Sequence, residues 1–173
     1  MITLDRGKIV DQWATLLDQC QGEGEGVFRA VEDALKGSQA PDVRWTRETV
    51  APGFWAAVGG KRRDFLIVRN DICPYHLLAI SAHDYGTGLD VSWYLVDTRG
   101  GPVRKFLEAL PIVGGFFRAL WSDRFLDVFD EQELRAYMTV GHRAVRRGIE
   151  ELIARRKLEV DIDWKSRGAF GLT

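Results

Sequence analysis

The sequence predicts an α+β fold: a four-stranded antiparallel β-meander, preceded by two helices and packed against a long C-terminal helix. Three observations carry this reading. Residues 62–97 hold three short apolar runs separated only by turn clusters, Asn70-Asp71 with Pro74, then Asp84-Tyr85-Gly86-Thr87-Gly88. Strands joined so tightly pair antiparallel, because a parallel crossover needs roughly a dozen residues or more. The strands also fall together between helical segments, which separates α+β from α/β. Finally, a stripe of apolar residues and glycines from Leu134 to Ile153 keeps helical spacing behind a capping signal, Asp130 with Glu133 three residues later.

The elements follow in order. Residues 3–19 read as an amphipathic helix, with Ile9, Trp13, Leu16 and Leu17 at helical spacing. Gly22-Glu23-Gly24-Glu25-Gly26 is expected to end it, since glycine disfavours helix interiors. A second helix is expected over Val27–Lys36, stopped by Gly37. Val43–Val50 alternates as a strand, with charges that suit an edge. Phe54–Val58 fits a sheet extension or a helical turn equally. Strands are then expected at 64–69, 75–83 and 89–96. The last has the cleanest alternation, placing Leu89, Val91, Trp93 and Leu95 on the core face and Asp90, Ser92, Tyr94 and Val96 on the other. Two short helices, Val103–Leu110 and Ile112–Trp121, are broken by Pro111. The long helix follows, and Val160–Trp164 forms a final strand or an arm.

The whole is expected to be one domain (1–173): a helical N-terminal segment 1–40, the sheet 43–97, a helical C-terminal segment 102–157 and a tail 158–173. At 173 residues it is long enough to bury a real core. A net charge of −1 argues against a chain that is basic throughout. No signal peptide and no run of 18 apolar residues is seen, and two cysteines on different elements suit reduced thiols, so a cytoplasmic protein is expected. The first 42 residues hold eight acidic and four basic residues, expected to be the solvated faces of a helix pair, with a docking face for a basic partner or for the chain's own basic C-terminal helix as the sharper alternative.

Chemistry is sparse. No G-x-S-x-G, P-loop or H-E-x-x-H occurs. His76 and His83 lie an odd number of residues apart on one strand, so they face opposite ways, roughly 23 Å apart at ~3.3 Å per residue. Cys73-x-x-His76 is a lone ligand pair, and neither metal nor cofactor is expected. A candidate polar binding face joins His76, Asp90, Ser92 and Tyr94 to His142 on the long helix. The aromatic-rich run 106–121, with Phe106, Phe116, Phe117 and Trp121, is a candidate interaction patch if exposed and a helical hairpin if buried. Arg143, Arg146 and Arg147 form a candidate basic face. The leading expectation is a non-enzymatic binding protein working through a surface or pocket of the sheet and C-terminal helices. A protein partner or self-association is the leading contact, and peripheral membrane contact through the aromatic patch stays open. The alternatives are nucleic-acid binding through the basic helix and a small enzyme with a polar pocket between sheet and long helix.

Overall fold

In the computed structural model, residues 9–50, 63–98 and 128–167 are described. They form a five-stranded antiparallel sheet and two helices: β1 (Ile9–Leu17), α1 (Gly24–Ser38), β2 (Val43–Val50), β3 (Arg63–Asn70), β4 (His76–Tyr85), β5 (Gly88–Asp97) and α2 (Val128–Arg156). The strand order is β1-β5-β4-β3-β2, so the expected four-strand meander β2 to β5 is present and β1 extends it at the β5 edge. The expected segments Phe54–Val58, Val103–Leu110 and Ile112–Trp121 lie outside the described residues.

The first segment corrects the sequence reading. Where a helix is expected over 3–19, residues 9–17 are a strand paired with β5, Trp13 opposite Trp93 and Leu17 opposite Leu89. Asp11, Trp13 and Leu17 are buried, while Gln12, Ala14 and Leu16 are exposed, a two-residue period. Trp13 and Leu17 are four apart, and that spacing puts both on one face of a strand or of a helix. Only one of the two expected N-terminal helices is therefore found. The glycine run also acts differently: it opens α1 at Gly24 rather than closing a helix. A Cβ at Gly24 would lie 2.8 Å from the Ala82 carbonyl oxygen, so glycine lets the helix start against β4.

Both helices lie on one face of the sheet. Val27, Phe28, Val31 and Leu35 of α1 and Leu134, Met138, Val145, Ile149 and Leu152 of α2 share one core with Leu66, Leu78, Ile80, Leu89, Val91, Trp93 and Leu95. The expected inward set of β5 is fully buried. A smaller apolar group, Phe65, Ile67, Leu77, Ala79 and Val96, occupies the opposite face. The Tyr137 phenol fastens α2 to the sheet: it accepts from the Leu78 amide at 2.9 Å and donates to the Val68 carbonyl at 2.7 Å. Val68 and Leu78 are paired residues, so the hydroxyl stands in the β3–β4 ladder.

The α2 helix ends in a Schellman turn. Lys157 is left-handed at φ 54°, its amide donates to the Ala154 carbonyl, and the Leu158 amide donates to that of Ile153. The chain then runs back as an extended arm along the groove between α2 and β1. Trp164 stacks on Trp13 with ring centroids 5.2 Å apart, the Trp13 indole donates to the Asp163 carbonyl at 2.7 Å, and the Arg167 amide donates to the Gln12 carbonyl at 2.8 Å. Residues 160–164 are thus an arm and not a strand. The acidic N-terminal block does meet the basic helix: Glu23 pairs with both Arg155 and Arg156.

Candidate functional site

The strand register decides which polar residues share a surface. Tyr85 and Gly88 close a two-residue turn at Gly86-Thr87, which puts His83 opposite Asp90 and Ser81 opposite Ser92. Across the next seam, Ser92 faces Ala14, Tyr94 faces Gln12 and Asp90 faces Leu16. All of these side chains lie on the sheet face away from the helices, because residues directly opposite in an antiparallel pair share a face.

Asp90, Ser92 and Tyr94 therefore stand together as expected, and His83 and Ser81 join them. Ser92 Oγ donates to Asp90 Oδ1 at 3.4 Å, Asp90 Oδ1 lies 3.5 Å from His83 Nδ1, and Ser81 Oγ lies 3.3 Å from the same nitrogen. Ser81 and Ser92 are buried, and His83 and Asp90 are half-buried. Burial, and then the charge of Arg63, hold His83 below the ordinary histidine range against the pull of Asp90 and Asp84. The imidazole is neutral at neutral pH.

His76 and His142 are not part of this row. His76 has the parity of Leu78 and Ile80 and lies buried on the helix side of the sheet. His142 is buried on α2, where its Nδ1 accepts from the Trp93 indole at 3.1 Å. The sheet itself separates both from Asp90. Between α2 and the sheet, Gly141 stands so close to Leu78 that a Cβ would clash with Leu78 Cδ2.

The row resembles a Ser-His-Asp constellation in composition only. Nucleophilic catalysis needs the serine on one ring nitrogen and the carboxylate on the other, so that a proton taken at one side is balanced at the other. Here Ser81 and Asp90 both approach Nδ1. The arrangement is a hydrogen-bonded row on a rigid sheet. At its β1 side the surface opens: Gln12 and Ala14 are exposed, Leu16 is 47% exposed and Tyr94 is partly exposed. A cleft of about 160 Å³ there is lined by Gln12, Trp13, Ala14, Tyr94 and Arg167.

A second cleft, about 270 Å³, lies beside β2 and is lined by Glu25, Phe28, Arg47, Glu48, Thr49, Asp64 and Phe65. Its charges are matched internally. Arg47 binds Glu25 and Glu32 and lies over the Phe28 ring, Arg69 binds Glu48, and Thr49 donates to Asp64. Hydrogen bonds from Arg47 and Arg29 hold the Glu25 carboxyl below its usual range. Among the described residues no group of three or more His, Cys, Asp and Glu is placed to hold a metal. Cys20 and Cys73 are both buried, and burial pushes the Cys20 thiol up.

On the basic face, Arg143, Arg146 and Arg147 are exposed. Arg146 pairs with Glu150 at 2.7 Å and Arg147 with Glu151 at 3.1 Å. Phe106, Phe116, Phe117 and Trp121 lie outside the described residues. No described helix is long and apolar enough to cross a membrane.

Sequence reasoning missed Ser81, His83, Gln12 and Leu16 as neighbours of the row from Asp90 to Tyr94. A usable signal existed for the first two. Counting outward from a two-residue turn at Gly86-Thr87 pairs 85 with 88, 84 with 89 and 83 with 90. Nothing comparable marked Gln12 and Leu16, whose strand is separated from its partner by most of the sheet. No protein-family model, curated protein or solved structure matches this chain.

Proposed function

We propose that the protein is a non-enzymatic binding protein that meets a protein partner on the open β1–β5 part of the second sheet face. The observation that carries this is the combination of exposed Leu16 and Ala14 with the partly exposed Tyr94 and the His83–Asp90 pair on one rigid surface. Apolar, aromatic and hydrogen-bonding groups side by side suit a protein interface. The size of the cleft supports a surface contact over a small-molecule site. At about 160 Å³ it is below the roughly 300 Å³ at which ligand pockets begin, enough to seat one partner side chain. A catalytic reading draws no support from the histidine row, for want of a carboxylate on the second ring nitrogen. The aromatic run 106–121 remains a second candidate surface for the same activity.

A second copy of the chain is the first partner to test. Sedimentation velocity over a range of concentrations would compare the wild-type protein with Leu16→Glu and Tyr94→Ala. Association that weakens at least about tenfold in both variants supports this face, a loss near 1.4 kcal/mol. Association unchanged in both sinks it, and a wild-type protein that stays monomeric rules out the second copy as partner.

Nucleic-acid binding through α2 is the runner-up. Phosphate contact needs cations that are not already neutralised. Arg146, Arg147, Arg155 and Arg156 each have a carboxylate partner, which leaves less net positive charge than the sequence alone suggests. Arg143→Glu with Arg147→Glu would abolish salt-sensitive binding to duplex DNA if this reading held.

A further inference from the structure

His142 stands at the centre of an indole cluster. Trp13, Trp93 and Trp164 surround it edge-on, with ring centroids 6.0, 5.8 and 6.3 Å away. An indole N–H can only donate, so the bond from Trp93 fixes Nδ1 as the acceptor and places the proton of the neutral ring on Nε2. Nε2 is buried and has no hydrogen-bond partner. The hydrogen bonding of both ring nitrogens suits the neutral ring. A second proton would go to Nδ1, where it would point at the Trp93 N–H, donor against donor.

From this geometry we infer that His142 is a pH-sensitive latch on the C-terminal arm: protonation of its ring releases residues 159–167 from the groove between α2 and β1. An imidazolium must reach water, and one wall of its box has to open. Among the described residues three walls are β1, β5 and α2, each held by backbone ladders or by helix hydrogen bonds. The fourth is the arm, held by Trp164 on Trp13, two main-chain contacts and the bond from Ser166 Oγ to Asp11 Oδ2 at 3.3 Å. Among the described residues it is the one wall held by neither a backbone ladder nor helix hydrogen bonds, with Ile162 and Trp164 packed against the core. Its start is set by the Schellman turn at Lys157, so the chain beyond can swing without unwinding α2.

The charges facing the ring come from two elements. Arg146, on its own helix, opposes protonation and lies over the Trp164 ring; buried Asp11, on β1, favours it. β5 presents Trp93, β4 carries His76 on the same sheet face, and the arm's Asp163 and Lys165 are exposed. Burial outweighs Asp11 and holds His142 below the ordinary histidine range. Release would also remove Arg167 from the cleft beside Tyr94, so the latch bears on the surface proposed above. The latch itself does not depend on what that surface binds.

The test is a proton–nitrogen NMR titration of the full chain from pH 7.5 to 5, on the wild type and on His142→Asn, whose side-chain oxygen can still accept from Trp93 at every pH. In the wild type, the Trp13 and Trp93 indole signals should move with one midpoint, that of the His142 ring. The Arg167 amide should lose protection over the same range, with arm opening rising roughly tenfold for each pH unit separating the closed-arm and open-arm titrations of His142. In His142→Asn these signals should stay fixed. Unmoved Trp13 and Arg167 signals in the wild type overturn the latch, as does an equal response in His142→Asn. If that variant does not fold, a mismatch between the His142 midpoint and the Arg167 midpoint in the wild type overturns it equally.

Discussion

The Tyr137 hydroxyl bridges the paired residues Val68 and Leu78, so one atom joins the long helix to the sheet. Tyr137→Phe keeps the ring in the core but leaves a buried amide and a buried carbonyl without that partner. The expected loss is about 1–3 kcal/mol, read as a lower urea midpoint. Burial also pushes the phenol well above its ordinary range, so it stays protonated as a donor at any working pH. Gly141 teaches the opposite of the usual rule. Alanine in a helix interior ordinarily gains about 1 kcal/mol over glycine. Here the new methyl would meet a terminal methyl of Leu78, which is fully buried and would have to shift within the packed core. Overpacking of that kind costs about 1–3 kcal/mol, so Gly141→Ala is expected to destabilise on balance. Pairing it with Leu78→Val should recover part of the loss, and strict additivity of the two changes would refute the contact.

At the scale of elements, α1 and α2 are held together by two kinds of contact of unequal weight. Val27, Val31 and Leu35 pack against Val145, Ile149 and Leu152 in the shared core, while Glu23 bridges to Arg155 and Arg156 at the surface. Both arginines are about half exposed, so the ion pairs contribute little. Glu23→Gln should therefore lower stability by under about 1 kcal/mol, with the difference largely gone in ~1 M salt. A large, salt-insensitive loss would mean that Glu23 supports the start of α1 in some other way. The same element shows why the glycine run was misread. Gly24 and Gly26 lie in the first turn of α1, where the Ala82 carbonyl and the Arg155 guanidinium approach too closely for a side chain at either position to fit without adjustment. Sequence records that a glycine is present and not whether it ends one helix or admits another.

For the molecule as a whole, the two histidines His83 and His142 tie stability to pH in one direction. Burial is the largest cause of the downward shift in both. In the unfolded chain each takes its proton near pH 6.5. Between that value and the lower folded one, the unfolded state holds more protons, so stability rises with pH. Their contribution is full above about pH 6.5 and is lost as pH falls through the folded values. Urea unfolding at pH 7.5, 6 and 5 should show a steady decline, shallower in His142→Asn; a stability that holds level or grows toward pH 5 contradicts both burial assignments. The sequence by itself determined the meander, the long helix, the buried set of β5 and the grouping of Asp90, Ser92 and Tyr94. Those follow from local physics: a two-residue period shorter than any helical one, and turns too short for anything but antiparallel pairing. Tertiary structure alone decided that residues 9–17 are a strand, that His76 and His142 lie across the sheet from Asp90, and that the arm closes over Trp13. A four-residue apolar spacing satisfies strand and helix alike, and the partner that settles it, β5, enters the chain some seventy residues later. Which face a buried histidine shares likewise depends on which layer packs there, and layers are chosen by contacts that no local pattern encodes.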